Sequence, residues 1–347
     1  MGDIAKGVLG GAWTLLTGWI LPTALNLGVF FYAVAPSLRH IGPIERFWPG
    51  NGKATALLLL CLSLLLGLVL NALQNPLYRI LEGYLLWPER LAARACARRR
   101  TAKHTLRRRL GLIRLEHRAR EGELTSEEAV ELASLRVDAT LARAARRDRD
   151  RSAVRRALLR EKLNRYPADD AQLAPTRLGN AIRRLEEYGY DRFRLDTQVL
   201  WNELTATAPE QVRRQVDLAR ANVDFFVALL TGHLAVAATA LAALGTSRPD
   251  VPALLLTTVL LGALIPVWYR SAVTATDEWA ATVRALVNVG RMPLAGSLGL
   301  ALPATLESER RMWTLVAKLT RLPYHERAGA LDAFRVEPGE GRGDSSR

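Results

Sequence analysis

The chain has 347 residues, 48 Lys and Arg against 34 Asp and Glu, a net charge of +14, and a hydrophobic fraction of 49%. These averages resemble a soluble protein, but charge and apolar residues are segregated. No Asp, Glu, Lys or Arg occurs in residues 7–38, 54–78, 225–247 or 251–269, which excludes a simple soluble globule and a mainly disordered chain.

The first span is predicted over residues 14–35. Trp13 and Trp19 lie toward one interface, Phe31 and Tyr32 toward the other, and Pro22 bends the helix. A loop with Pro36, Pro43, Pro49 and Gly50 follows, then a Leu-rich second span over residues 54–74. Residues 77–87 read as a juxtamembrane helix with Tyr78, Tyr84 and Trp87 at the interface. Together these form a first unit over residues 1–88.

Residues 90–220 hold 31 basic and 19 acidic residues, so almost all the excess charge lies in one block. Positive charge close to spanning ends stays in the cytoplasm. A basic cytoplasmic helical domain is therefore expected over residues 89–220, with both termini cytoplasmic. A helix over residues 89–120 ends at Gly122. Thr125 and Glu128 fit a capping box that opens a second long helix running to about residue 163, antiparallel to the first. A loop follows over residues 167–180, then a third helix over 181–203. Thr207 and Glu210 fit another capping box, opening a helix that runs unbroken into the third span. A second transmembrane hairpin is expected over residues 221–270, its fourth span ending near Trp268. Cytoplasmic helices over 272–289 and 305–322 complete residues 271–336, and residues 337–347 read as a disordered tail. The fold class is all-α, with four transmembrane helices in two hairpins and an inserted cytoplasmic helical domain.

Cys61 and Cys96 form no disulfide or metal pattern, the five histidines do not cluster, and no phosphate-binding or hydrolase motif is present. No enzyme, cofactor or metal is expected. His233 is the one ionisable residue well inside an apolar run; it marks an ion path or bonds to a neighbouring helix, for instance to Thr257 or Thr258. Asn26 and Asn71 pair across the first hairpin or line a pore. Ala235, Thr239 and Ala243 recur every four residues as a small-residue packing face. The acidic cluster Glu186, Glu187, Asp191, Asp196 and Glu203 is interleaved with arginines, as on a salt-bridged surface helix. The basic run that includes Arg94, Arg98, Arg99, Arg100, Arg107, Arg108 and Arg109 favours anionic lipid head groups. Nucleic acid is disfavoured because no aromatic lies between residues 90 and 160 to stack on bases.

Three segments carry a resemblance. They are the run from Pro76 to Tyr84 with Trp87 and Pro88; Arg177 to Asn180 with Glu187, Tyr188, Leu195 and Asp196; and residues 279–313 with Leu302, Pro303 and Glu309. In these the chain resembles a family of uncharacterised multi-pass membrane proteins of high-GC bacteria. The resemblance implies a bacterial cell membrane and no particular activity. Only five of the 48 basic residues are Lys, in keeping with a GC-rich genome. Such polar and aromatic residues beside a membrane exceed what packing demands, so a cytoplasmic collar of Glu82, Tyr84, Asn180, Glu187 and Trp201 is expected. Two function classes follow. One is a membrane-anchored scaffold or sensor whose helical domain binds protein partners or lipid. The other is an oligomeric channel, an architecture similar to that of bestrophin-type anion channels.

Overall fold

The computed structural model describes residues 11–40, 52–148, 152–323 and 325–335. Among them the protein is helical, with one isolated bridge between Leu300 and Arg335 in place of any strand. Residues 41–51, which include Pro43, Pro49 and Gly50, and residues 337–347 lie outside the described residues.

Four helices are long and apolar enough to cross a membrane: α1 (Gly11–Leu38), α2 (Gly52–Ala72), α10 (Glu210–Ala243) and α11 (Val251–Ser297). Between them lie α3 (Gln74–Glu82), α4 (Glu89–Glu121), α5 (Ser126–Val137), α6 (Ala139–Asp148), α7 (Ser152–Asn164), α8 (Arg177–Phe193) and α9 (Trp201–Thr207); α12 (Leu306–Arg321) follows α11. The chain divides into two compact units. One comprises Met1–Tyr78 with Arg192–Arg347, the other Arg79–Asp191. The second is narrower than the basic domain read from charge, because residues 192–220 belong with the first.

In the first unit α1 packs against α2 and α10, and α10 runs along α11. On α2 the burial pattern inverts that of a helix in a soluble protein. On α2 only Ser63 and Gly67 are buried, while Leu57, Leu60, Leu64, Leu65 and Leu68 are exposed. Lipid is as apolar as leucine, so membrane helices associate through small residues and leave the large ones outside. Gly67 is such a contact: a Cβ there would sit 2.9 Å from Ile20 Cγ1. The buried face of α10 is Val236, Ala237, Ala240 and Ala243. This shifts the expected stripe, because Ala235 and Thr239 are exposed.

Pro36, expected in the loop after the first span, lies inside α1 together with Pro22. In α1, Pro22 follows a π-helical turn over Leu16–Ile20, and Pro36 follows one over Phe30–Val34. The widened turn accommodates a ring that lacks an N–H and crowds the carbonyl four residues back. Pro266 and Pro293 both lie inside α11, which continues for 47 residues. The separate cytoplasmic helix expected from residue 272 is thus the continuation of the fourth span. The Asp250 carboxylate caps its start by accepting from the Ala253 N–H.

In the second unit α4 ends at Gly122 with φ +75°, and the Thr125 and Glu128 capping box is fully formed. Leu112 and Leu115 of α4 pack against Leu132 and Leu135 of α5 and Leu141 of α6. The expected second long helix is instead broken. Asp138 adopts an extended conformation, and its carboxylate accepts from the Thr140 and Leu141 N–H groups, capping a new helix. Three other boundaries move. Helix α3 stops at Glu82 because Gly83 takes φ +95°. Helix α8 starts at Arg177, which places Asn180 in its first turn, and stops at Phe193, followed by Arg194 at φ +62°. The Thr207 and Glu210 box does not form: the Thr207 hydroxyl donates to Glu203 O at 2.9 Å and the N-cap is Pro209.

Candidate functional site

The first unit holds two buried polar groupings among its spans. His233 of α10 is 6% exposed, Asn26 of α1 5%, and His233 Nδ1 lies 2.8 Å from Asn26 Oδ1. The Asn26 amide also donates to Pro22 O at 2.8 Å. The histidine therefore bonds to a neighbouring helix, but through Asn26 rather than Thr257 or Thr258. Asn26 correspondingly bonds to α10 and not to Asn71, which is half-buried on α2. Gly232 makes the approach possible, since a Cβ there would fall 2.3 Å from Asn26 Nδ2. The Trp268 ring of α11 stands edge-on to His233, with centroids 5.9 Å apart.

Nine residues earlier on α10, Asp224 is 6% exposed. Tyr78 Oη donates to its Oδ1 at 2.7 Å, and the Trp19 indole also donates to it. Arg220 Nε is 4.0 Å from Oδ2, and the same guanidinium donates to Gln74 Oε1 at 3.0 Å. Gly18 clears the space: a Cβ there would lie 3.2 Å from Asp224 Cβ. This cluster ties α1, α3 and α10 together. Its members Trp19, Gln74 and Tyr78 escape sequence reading because they meet Asp224 across gaps of up to 205 residues. The only local signal is an acid at the edge of an apolar run.

A third buried charge lies where α11 meets α12. Arg291 Nη1 donates to both Glu309 oxygens at 2.7 and 2.6 Å, the Trp313 indole donates to Oε1 at 3.2 Å, and the guanidinium stacks over Phe193 at 4.2 Å. Glu309 is 4% exposed.

In the second unit, the segments holding four of the five expected collar residues come together. Thr176 Oγ1 donates to Glu82 O at 3.1 Å, and a Cβ on Gly179 would come within 2.6 Å of the same carbonyl. Arg183 Nε donates to Tyr84 Oη at 2.7 Å, with its guanidinium over the ring. Burial, and Glu186 alongside, push the Glu82 carboxyl up to about 7 against the lowering influence of Arg183 and Arg79. Asn180 is 1% exposed and knits the preceding loop, accepting from Ala174 N and donating to Ala174 O and Thr176 O. Glu187 accepts from Ala168 N at 2.9 Å. Trp201 opens α9 and belongs to the other unit. The acidic residues of α8 are paired as a salt-bridged helix would have them: Arg183 lies 3.6 Å from Glu186, and Arg184 lies 3.8 Å from both Glu187 and Asp191.

One buried cation went unread in sequence. Lys103 is 1% exposed, and its ammonium donates to Ala168 O and to Asp170, whose other oxygen lies 2.6 Å from His104 Nε2. The Lys103 hydrogen bond, supported by His104, holds the Asp170 carboxyl below the usual carboxylate range.

The basic run is divided by its contacts. Arg99 donates to Pro175 O at 3.2 Å, Arg108 pairs with Asp138 at 3.3 Å, and Arg109 is half-buried. Arg94, Arg98, Arg100, Arg107 and Arg114 are exposed, and among the described residues no carboxylate lies within ion-pair distance of them. Among the described residues no group of three His, Cys, Asp or Glu is placed to hold a metal ion. No protein-family model, no curated protein and no solved structure matches the chain.

Proposed function

We propose that the protein is a multi-pass component of a bacterial cell membrane that acts without catalysis, as a membrane-anchored scaffold or sensor. Its termini and its basic helical unit face the cytoplasm, and that unit binds anionic lipid head groups, leaving its other faces for a protein partner. The observation that carries this reading is the set of exposed arginines on α4 without carboxylate partners among the described residues, Arg94, Arg98, Arg100, Arg107 and Arg114. A cation already paired inside its own domain gains little from a charged surface. An unpaired one within reach of an anionic leaflet gains about 1 kcal/mol.

The conduit reading, an oligomeric channel, has less support. Of the side chains that would line a path, Asn26 and His233 bond to each other and the Thr23, Thr231 and Thr239 hydroxyls donate to carbonyls of their own helices, while Asn71 is half-buried on α2. The test is reconstitution of the full chain into bilayers of neutral or anionic lipid, followed by trypsin. Slower cleavage at the α4 arginines in the anionic bilayer is expected, and equal rates overturn the reading. Ion flux above that of empty liposomes, under cation or chloride gradients, would instead establish a conduit.

A further inference from the structure

Helices α1, α2 and α10 line a cavity of about 430 Å³ that opens to the outer surface. Its walls include Phe30 and Phe31 of α1, Leu62 and Leu66 of α2, and Ala235 and Thr239 of α10. We propose that this cavity is a binding site for a hydrocarbon chain, filled by an acyl tail of a membrane lipid that enters sideways from the bilayer.

Three observations fix the chemistry. First, the hydroxyl donors in the wall are already spent within their own helices, and the surface the wall turns to the cavity is apolar. The hydroxyls of Thr23, Thr231 and Thr239 donate to Trp19 O at 2.6 Å, Val227 O at 2.8 Å and Val236 O at 2.8 Å. Asn26 is committed to Pro22 O and His233. A water molecule needs two to four polar partners to settle in a cavity, so this one does not hold water on those terms. Second, the void cannot stay empty without loss, because wall atoms with nothing opposite them forfeit their dispersion contacts. Third, the neighbouring outer surface of α2, with Leu57, Leu60 and Leu64 exposed, is itself apolar, so the medium at the mouth is lipid chain. A helix of a second copy is a poorer occupant. Helices approach closely in membranes through small residues, and Phe30, Phe31, Leu62 and Leu66 hold an incoming backbone away. The volume falls within the range of small-molecule pockets, roughly 300–1,000 Å³.

The test uses the full chain reconstituted in phospholipid bearing a photoactivatable diazirine midway along one acyl chain, with adducts mapped by peptide mass spectrometry. Adducts are expected on Leu62, Leu66 and Leu70 of α2 and on Ala235 and Thr239 of α10, which line the cavity, as well as on outward Leu57 and Leu60. Ala235→Phe fills the cavity from α10 and Leu66→Trp fills it from α2. Each should reduce the cavity adducts to the level of an unirradiated control while leaving those on Leu57 and Leu60 unchanged. A variant that fails to fold is recognised by loss of both sets, and the other then decides. Adducts confined to the outward leucines in the unsubstituted protein, or cavity adducts that persist in a folded filled variant, overturn the proposal.

Discussion

Arg100, Arg107 and Arg114 recur every seven residues on α4 and are all exposed. Seven residues are just under two turns, so the three form one stripe with steps of about 10.5 Å along the axis. Arg94 and Arg98 lie on a different side of the helix, so a flat surface meets the stripe or that pair, not both. Replacing the stripe residues with Gln should therefore remove three head-group attractions at about 1 kcal/mol each, about 3 kcal/mol in all. At 1.4 kcal/mol per decade this is about a hundredfold in the equilibrium between lipid-bound and free states of the unit. The assay is energy transfer from a dye on Val130→Cys, an exposed position of α5, to head-group acceptors, with Cys61 and Cys96 replaced by Ser. Transfer should rise with anionic lipid, fall in the triple variant, and collapse near 1 M salt, where the screening length is about 3 Å. Transfer that ignores lipid charge, or a triple variant that matches its parent, refutes the reasoning. A loss confined to Arg94→Gln with Arg98→Gln assigns the contact to the other side of the helix and refutes the stripe.

Asn26→Ala and His233→Ala, singly and together, should give a coupling energy of about 0.6 kcal/mol, with about 1.7 kcal/mol as the upper bound for such membrane hydrogen bonds; unfolding in detergent measures it. Arg291→Ala should destabilise the protein by about 3–5 kcal/mol by leaving Glu309 buried and unpaired. Adding Glu309→Leu should recover much of that loss, as read from denaturant midpoints. Glu82 carries a pH dependence: its carboxyl rises from 4.5 to about 7 on folding, so the folded unit binds a proton that the unfolded chain releases. The stability this group contributes is complete below pH 4.5 and is lost as pH rises through about 7. Titrating the unfolding of the protein and of Glu82→Gln should show that slope only in the former.

What sequence made legible was local. Long runs without charge located the four spans, and Gly122, the Thr125 and Glu128 box and Thr305 marked helix ends whose chemistry lies within a few residues. Asp138 was overlooked because Val137 and Ala139 continue a helical pattern around it, and only its bonds to Thr140 and Leu141 reveal the break. In the sequence the fourth span ends near Trp268 because charge returns at Arg270, whereas the helix itself passes Pro266 and keeps its other hydrogen bonds. The pairs that build the interior were illegible. Asn26 and His233 are 207 residues apart, and Tyr78 and Asp224 are 146 apart. His233 and Asn26 stand out singly as polar groups within apolar runs, but only the fold selects their partners.

The unbroken α11 has a mechanical consequence. Its 47 residues make a rod of about 70 Å at about 1.5 Å per residue, more than twice the roughly 30 Å of a bilayer's hydrocarbon core. Pro266 and Pro293 lie within it, and each removes one backbone hydrogen bond, so these are the points at which the rod can flex. Arg291, between them, fastens the helix through Glu309 to α12 and through stacking to Phe193. The stretch from Pro266 to Arg291 therefore joins the apolar run to that ion pair as one uninterrupted helix.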